Sequence, residues 1–238
     1  MTETKFTRRK SYISRDERRF TVLVAKDKNI ELAKYKTIED ASGEHLNINL
    51  FSLLAPPPKM SNNDWIIVNL VDFLERIELL YSSCSLFCNS DTCPLFNAGP
   101  KYCYLWIDDD SSKSTQISAP EYFLALKRYI KRNLKNKHLF PKKLNEEFSE
   151  KALKVLKTSF RRLFRILAHL YVCHFEDISN LPDINLFEIM NTILAHYTNF
   201  SILYHLCQPE DFAIFEPIFK NINEHSTPTF HCPKFSTI

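Results

Sequence analysis

The chain has 238 residues, 45% apolar and 25% charged, with a net charge of +3, ordinary values for a soluble globular protein of one large or two small domains. That charge is too small to imply nucleic acid or a membrane surface by itself, and no apolar run nears the roughly 20 residues of a membrane helix. Two glycines, Gly43 and Gly99, are too few for glycine-rich nucleotide loops, and seven cysteines favour reduced thiols plus a metal over a disulfide framework.

Residues 1–30 read as a flexible basic arm, because Lys5, Arg8, Arg9, Lys10, Arg15, Arg18 and Arg19 outnumber Glu3, Asp16 and Glu17. No apolar segment follows these cations, so no secretory signal is expected. Residues 20–25 read as a short strand or an anchoring segment, and 30–35 as one short helix. Ala55-Pro-Pro-Pro-Lys59 is an extended connector, since three prolines cannot continue a helix.

Ser61-Asn-Asn-Asp64 opens a helix that runs to about residue 81, with an acid three positions after the capping serine. Trp65, Val68, Phe73, Ile77 and Leu80 populate its apolar faces and predict a mostly buried helix. Asp64, Asp72, Glu75 and Glu78 fall within about a third of its circumference at 100° per residue. This acidic arc is either a solvated face or a docking surface for a basic partner.

Residues 88–106 read as a loop punctuated by Pro94, Asn97, Gly99 and Pro100, and 108–113 as another polar turn. A helix is predicted over 119–136, with Pro120 in its first turn. Ser149 caps a long helix over 150–174, whose Leu153, Leu156, Phe160, Leu163, Leu167 and Leu170 recur at spacings of three and four. Two further amphipathic helices are predicted over 185–200 and 209–222, and 225–238 is a loose end.

Two constellations carry chemistry. Cys88 and Cys93 enclose four residues in a loop, and His169 and His174 enclose four more. Together they form a candidate Cys2His2 zinc site of the structural type. Five positions on a regular helix separate the two histidines by about 140°, so either the helix ends or distorts before His174 or only one histidine ligates. Cys84 and Cys173 are alternative ligands, Cys103 is a nearby decoy, and core histidines with inert thiols remain the plain alternative. The second constellation is a basic stripe of Lys154, Lys157, Arg161 and Arg165, with Arg162 beside it. Like charges at neighbouring turns destabilise a helix by a few tenths of a kcal/mol per pair, which suggests a counter-anion. Guanidinium forks suit phosphate oxygens. A solvated face with snorkelling arginines is the alternative; little aromatic stacking surface flanks the stripe for nucleic acid.

Several motifs in sequence order resemble the Mob/phocein family: Asp64-Trp65-Ile-Ile-Val-Asn69-Leu-Val-Asp72-Phe73, Leu80-Tyr81, Phe87-Cys88-x4-Cys93-Pro94, Ala98-Gly99-Pro100-Lys101-Tyr102-Cys103-Tyr104-Leu105-Trp106, Ser118-Ala119-Pro120, Leu139-Phe140-Pro141 and Arg162-Leu-Phe-Arg165-Ile-Leu-Ala-His169-x4-His174-Phe175. The match is dense over 61–175 and implies a Mob domain over 31–224. The resemblance implies an all-α fold around a four-helix bundle with additional helices, holding one structural Zn2+ on Cys88, Cys93, His169 and His174. It implies a non-catalytic adaptor that binds and co-activates an NDR/LATS-type kinase through the kinase's N-terminal region, in Hippo-like or mitotic-exit signalling. Asp64, Trp65 and Asp72 match the family's kinase-binding face, while Met60 and Ser61 stand where two further acids are usual; Glu75 and Glu78 are the candidate compensation. Arg161, Arg162 and Arg165 match its phosphopeptide site, for phosphorylated Ste20-like kinases or scaffolds. The family's N-terminal phosphothreonine falls near Glu39 or Asp40, with Thr37 a further candidate. A phocein-like scaffold role in a phosphatase–kinase assembly is the alternative, and the implied location is the cytoplasm, extending to the nucleus or spindle pole. Nucleic acid and membrane insertion are not expected.

Overall fold

The computed structural model describes residues 21–22, 50–108, 113–140, 147–181 and 186–215. Most of the expected basic arm, the helix at 30–35, the candidate switch residues and the C-terminal end lie outside them. Four long helices dominate: α1 (Asn62–Ser83), α2 (Ala119–Leu134), α3 (Glu150–Cys173) and α5 (Leu186–Leu203), with a short α4 (Phe175–Ser179) between the last two. Short 3-10 segments span Leu50–Leu53 and Pro209–Phe215. Two strand pairs modify the all-α expectation. Thr21–Val22 (β1) pairs antiparallel with Cys103–Tyr104 (β2), and Trp106–Ile107 (β3) with Ser114–Thr115 (β4).

Caps set the helix starts. The Ser61 hydroxyl accepts from Asp64 N at 3.1 Å and donates to its carboxylate at 2.6 Å. Ser118 and Glu121 form a reciprocal capping box, and Ser149 accepts from Ala152 N at 3.2 Å. Each cap satisfies amide donors that the first turn leaves unpaired. The expected helices over 61–81, 119–136 and 150–174 therefore appear with ends shifted by only a few residues.

α3 is the spine. It packs on α1 and α2 along Leu156, Phe160, Leu163, Leu167 and Leu170, all fully buried. Burying each such side chain stabilises the fold by about 1.5–3 kcal/mol. Phe160 meets Phe73 of α1 and Tyr197 and Phe200 of α5. Gly99 makes a tight turn beside α3 with φ +73°, and a Cβ there would sit 2.8 Å from Val172 Cγ1, so only glycine fits.

Three expectations are corrected. Val68 does not face the core: it is 44% exposed, as are Val71 (37%) and Leu79 (71%) on the same helix. α5 is not amphipathic but buried almost all round, as a helix enclosed by neighbours must be. Its Thr192, Thr198 and Ser201 are satisfied by donating to carbonyls four residues back. The segment from Pro209 opens as a 3-10 turn rather than an α-helix, and Phe212 and Phe215 pack edge-on against Phe164.

His196 of α5 is buried against Phe73, and neither ring nitrogen makes a well-formed hydrogen bond among the described residues. Burial, with Arg76 nearby, holds its pKa down to about 4, against smaller opposing effects of the Leu53 backbone and Asp72. The unfolded chain binds this proton near pH 6.5 and the folded chain does not. Stability present above about pH 6.5 is thus lost as pH falls toward 4, by roughly 3 kcal/mol. Urea unfolding from pH 7 to 4 should show a flatter pH profile for His196→Leu than for wild type; parallel profiles would contradict the assignment.

Candidate metal centre and docking faces

The loop after α1 is wound into a knuckle. Cys88 N donates to Cys84 O at 2.8 Å and Cys93 N to Asn89 O at 2.8 Å. The Asn89 side chain accepts from Asp91 N and Thr92 N, and Thr92 Oγ1 donates to Phe87 O at 2.7 Å. These local bonds turn both cysteine side chains inward. α3 ends at Cys173, and His174 leaves the helical conformation with φ −124° and ψ 19°. That break removes the 140° obstacle and lets both imidazoles meet.

Cys88, Cys93, His169 and His174 are all buried, and their donor atoms lie within 4.8 Å of one another. Cys88 Sγ is 3.3 Å from His169 Nε2, Cys93 Sγ is 3.2 Å from His174 Nε2, and the two Nε2 atoms are 3.2 Å apart. A tetrahedral ion with metal–nitrogen bonds of about 2.0 Å and metal–sulfur bonds of about 2.3 Å needs donor separations of about 3.3–3.8 Å. The quartet is close to that size and could hold a metal ion. Its outer partners agree. His169 Nδ1 sits 2.7 Å from Asn97 O and His174 Nδ1 3.1 Å from Asp177 Oδ2, which turns each Nε2 lone pair toward the centre.

Burial pushes the Cys88 thiol up to about 12, although the Tyr81 hydroxyl 3.3 Å away favours the thiolate. Burial holds His169 neutral, with a pKa near 4. A dication is what would make thiolates favourable here. Cys84 and Cys103 lie outside the quartet, and the Cys173 thiol points to Asn97 Oδ1 at 3.2 Å. Asn97 and Asp177 were not legible as partners, though an acid three residues after His174 is a visible cue.

The acidic arc of α1 is divided. Asp64 is engaged at the helix cap and Asp72 pairs with Arg76 at 2.8 Å. Glu78 pairs with Lys127 of α2. Trp65 is half-buried and its indole donates to Leu54 O at 3.1 Å. Glu75 is exposed and makes no ion pair among the described residues. At 100° per residue Val68, Val71 and Leu79 fall in the same arc as Glu75, so the face is apolar and acidic together.

The arginines also divide. Arg162 is 8% exposed, stacks 4.2 Å over Trp106 and 4.7 Å over Tyr129, and donates to Ile107 O at 2.8 Å. Its Nη1 has no partner among the described residues. Arg161 and half-buried Arg165 instead line one small cleft with Tyr102, Tyr104, Glu210 and Asp211. Arg165 Nη1 donates to the Tyr122 hydroxyl at 3.2 Å. Burial opposes its charge, but Tyr122, Tyr104 and Asp211 offset that and raise its pKa.

Comparison with known proteins agrees with the motif reading. The model of the Mob1/phocein family matches residues 43–215. MOB kinase activator-like 1 homolog B of Dictyostelium discoideum is 33% identical over 75% of this chain and 82% of its own length. MOB kinase activator-like 1A of Arabidopsis thaliana is 35% identical over 73% and 80%. Maintenance of ploidy protein mob1 of Schizosaccharomyces pombe is 34% identical over 78% and 85%.

If the quartet binds an ion, a strong chelator should lower the midpoint of thermal unfolding, and stoichiometric dication should restore it. Asp177→Ala should weaken metal affinity about 10–100-fold, the usual effect of losing such a partner, read by competition with a chromophoric chelator. Unfolding indifferent to chelator would count against the site.

Proposed function

The chain belongs to the Mob1/phocein family, and from that premise we propose that it is a non-catalytic adaptor that binds and co-activates an NDR/LATS-type protein kinase. The observation that carries this reading is the outer face of α1. Val68, Val71 and Leu79 stand exposed beside Glu75, which makes no ion pair among the described residues. Exposed apolar side chains in an acidic frame suit a basic amphipathic segment, whose apolar residues exclude water while its cations meet the carboxylates. The N-terminal region of the kinase is the proposed occupant. The curated relatives named as kinase activators support the same role.

Zn2+ is the proposed ion, because two thiolates and two imidazoles in a tetrahedral arrangement are a zinc donor set. Four protein donors fill such a shell and leave no position for a reactive water, which favours a structural role over hydrolysis. Zinc would tie the end of α1 to the end of α3 and hold their outer faces at fixed separation. The second proposed ligand is a phosphorylated peptide of an upstream Ste20-like kinase or scaffold, held by Arg161 and Arg165. Arg162, buried on Trp106, would support the cleft from below rather than reach the phosphate. Signalling of the Hippo or mitotic-exit kind, in the cytoplasm and at the spindle pole, is the setting this reading implies.

A phocein-like scaffold role is the second reading. It is favoured by Met60 and Ser61 at usually acidic positions and by the internal pairing of Asp72 and Glu78. Affinity purification separates the two, since one recovers an NDR-type kinase and the other a phosphatase assembly.

Glu75→Lys combined with Leu79→Asp should weaken capture of an NDR-type N-terminal kinase segment by about tenfold or more. Both positions are exposed, so unfolding should shift by less than about 0.5 kcal/mol. Undiminished capture by the double variant would remove this face from the interface.

A further inference from the structure

The cleft of Arg161 and Arg165 is not simply basic. These two cations stand one helical turn apart on α3, and the Pro209–Phe215 turn brings Glu210 and Asp211 into the same lining of a space of about 80 Å³. Two guanidiniums and two carboxylates sum to no net charge. Asp211 is committed to its own turn, for its carboxylate accepts from Gln208 N at 2.9 Å and its N donates to Gln208 O at 3.0 Å. Glu210 is exposed and Arg161 half-buried, and neither makes a hydrogen bond or ion pair among the described residues. Opposite charges share the cleft without being used up by each other.

Resting on the phosphopeptide reading above, we infer that this cleft selects phosphorylated segments with a lysine or arginine close to the phosphoresidue, and that Glu210 is the residue that reads that cation. A phosphate dianion alone meets two attracting and two repelling groups, so long-range attraction is largely cancelled. A ligand that places phosphate on the guanidiniums and a cation on Glu210 satisfies both signs. Acidic flanking residues meet Glu210 and Asp211 as like charges and are selected against. The aromatic rings of Tyr102 and Tyr104 give the intervening peptide an apolar wall.

The test is fluorescence polarisation with the full chain and a set of phosphothreonine peptides. They differ only in one flanking position, which carries Lys, Ala or Glu and is scanned along the peptide. At one position Lys should bind about two- to fivefold tighter than Ala, as an exposed ion pair contributes, and Glu weaker. Glu210→Gln should erase the Lys advantage while leaving the Ala peptide unchanged, and raising salt should erase it in wild type. Equal affinities for Lys and Ala peptides at every position would overturn the inference and leave phosphopeptide binding standing. A uniform gain in affinity for all phosphopeptides in Glu210→Gln would also overturn it, by making Glu210 an internal competitor for the arginines. Absence of any phosphate-dependent binding by wild type, or phosphate-dependent binding that Arg161→Ala leaves intact, would overturn the phosphopeptide reading itself.

Discussion

The constraint on which the rest depends is the meeting of Cys88 and Cys93 with His169 and His174. Each cysteine finds its histidine across 81 residues of sequence. The knuckle after α1 and the terminus of α3 must therefore be built independently and then brought to within donor distance. Local bonds do the first part: the Asn89 and Thr92 side chains shape the knuckle, and the helix stops at Cys173. Packing does the second, because α1 and α3 already share Phe73 and Phe160 in the core. An ion added to this frame would convert two buried thiols, disfavoured as thiolates, into ligands and join the two helix ends.

From that junction the outward faces follow. A helix held by its buried side exposes a fixed arc, and on α1 that arc contains Val68, Val71, Glu75 and Leu79. Internal pairing of Asp72 with Arg76 and Glu78 with Lys127 leaves Glu75 without an ion pair among the described residues. On α3 one turn separates Arg161 from Arg165, while Arg162 is turned aside onto Trp106 and Tyr129. Three arginines within five residues thus do two different things, because a rotation of 100° per residue separates Arg161 from Arg162 on the helix.

Much of this was legible before the fold. Ser61, Pro120 and Ser149 mark the three helix starts, and spacings of three and four mark the buried stripe of α3. The four candidate ligands were legible too, since they are the residues whose types and spacing match a metal site. What was not legible depends on partners distant in sequence. Val68, Val71 and Leu79 are apolar, and only the placement of α2, α3 and α5 decides that they face outward. Arg162 carries the same charge as Arg161, and only the strand at Trp106–Ile107 decides that it is buried. α5 looked amphipathic because Asn191, Thr192, His196, Thr198 and Ser201 are polar. Thr192, Thr198 and Ser201 bond to carbonyls one turn back and Asn191 accepts from Tyr171, which a pattern of polar and apolar letters does not record.

The acidic wall of the arginine cleft has a further physical basis. Glu210 and Asp211 sit on a 3-10 turn, a form with few internal bonds, and such a segment alone would not hold a carboxylate in place. Here Phe212 and Phe215 anchor it by packing edge-on against Phe164, and Phe215 also meets Tyr171. Phe164 is on α3 between Arg161 and Arg165. The residue that separates the two cations in sequence is therefore the one that fixes the two anions in space. Opposite charges are held near each other by an apolar contact rather than by their own attraction, which leaves the hydrogen-bonding capacity of Arg161 and Glu210 for a ligand.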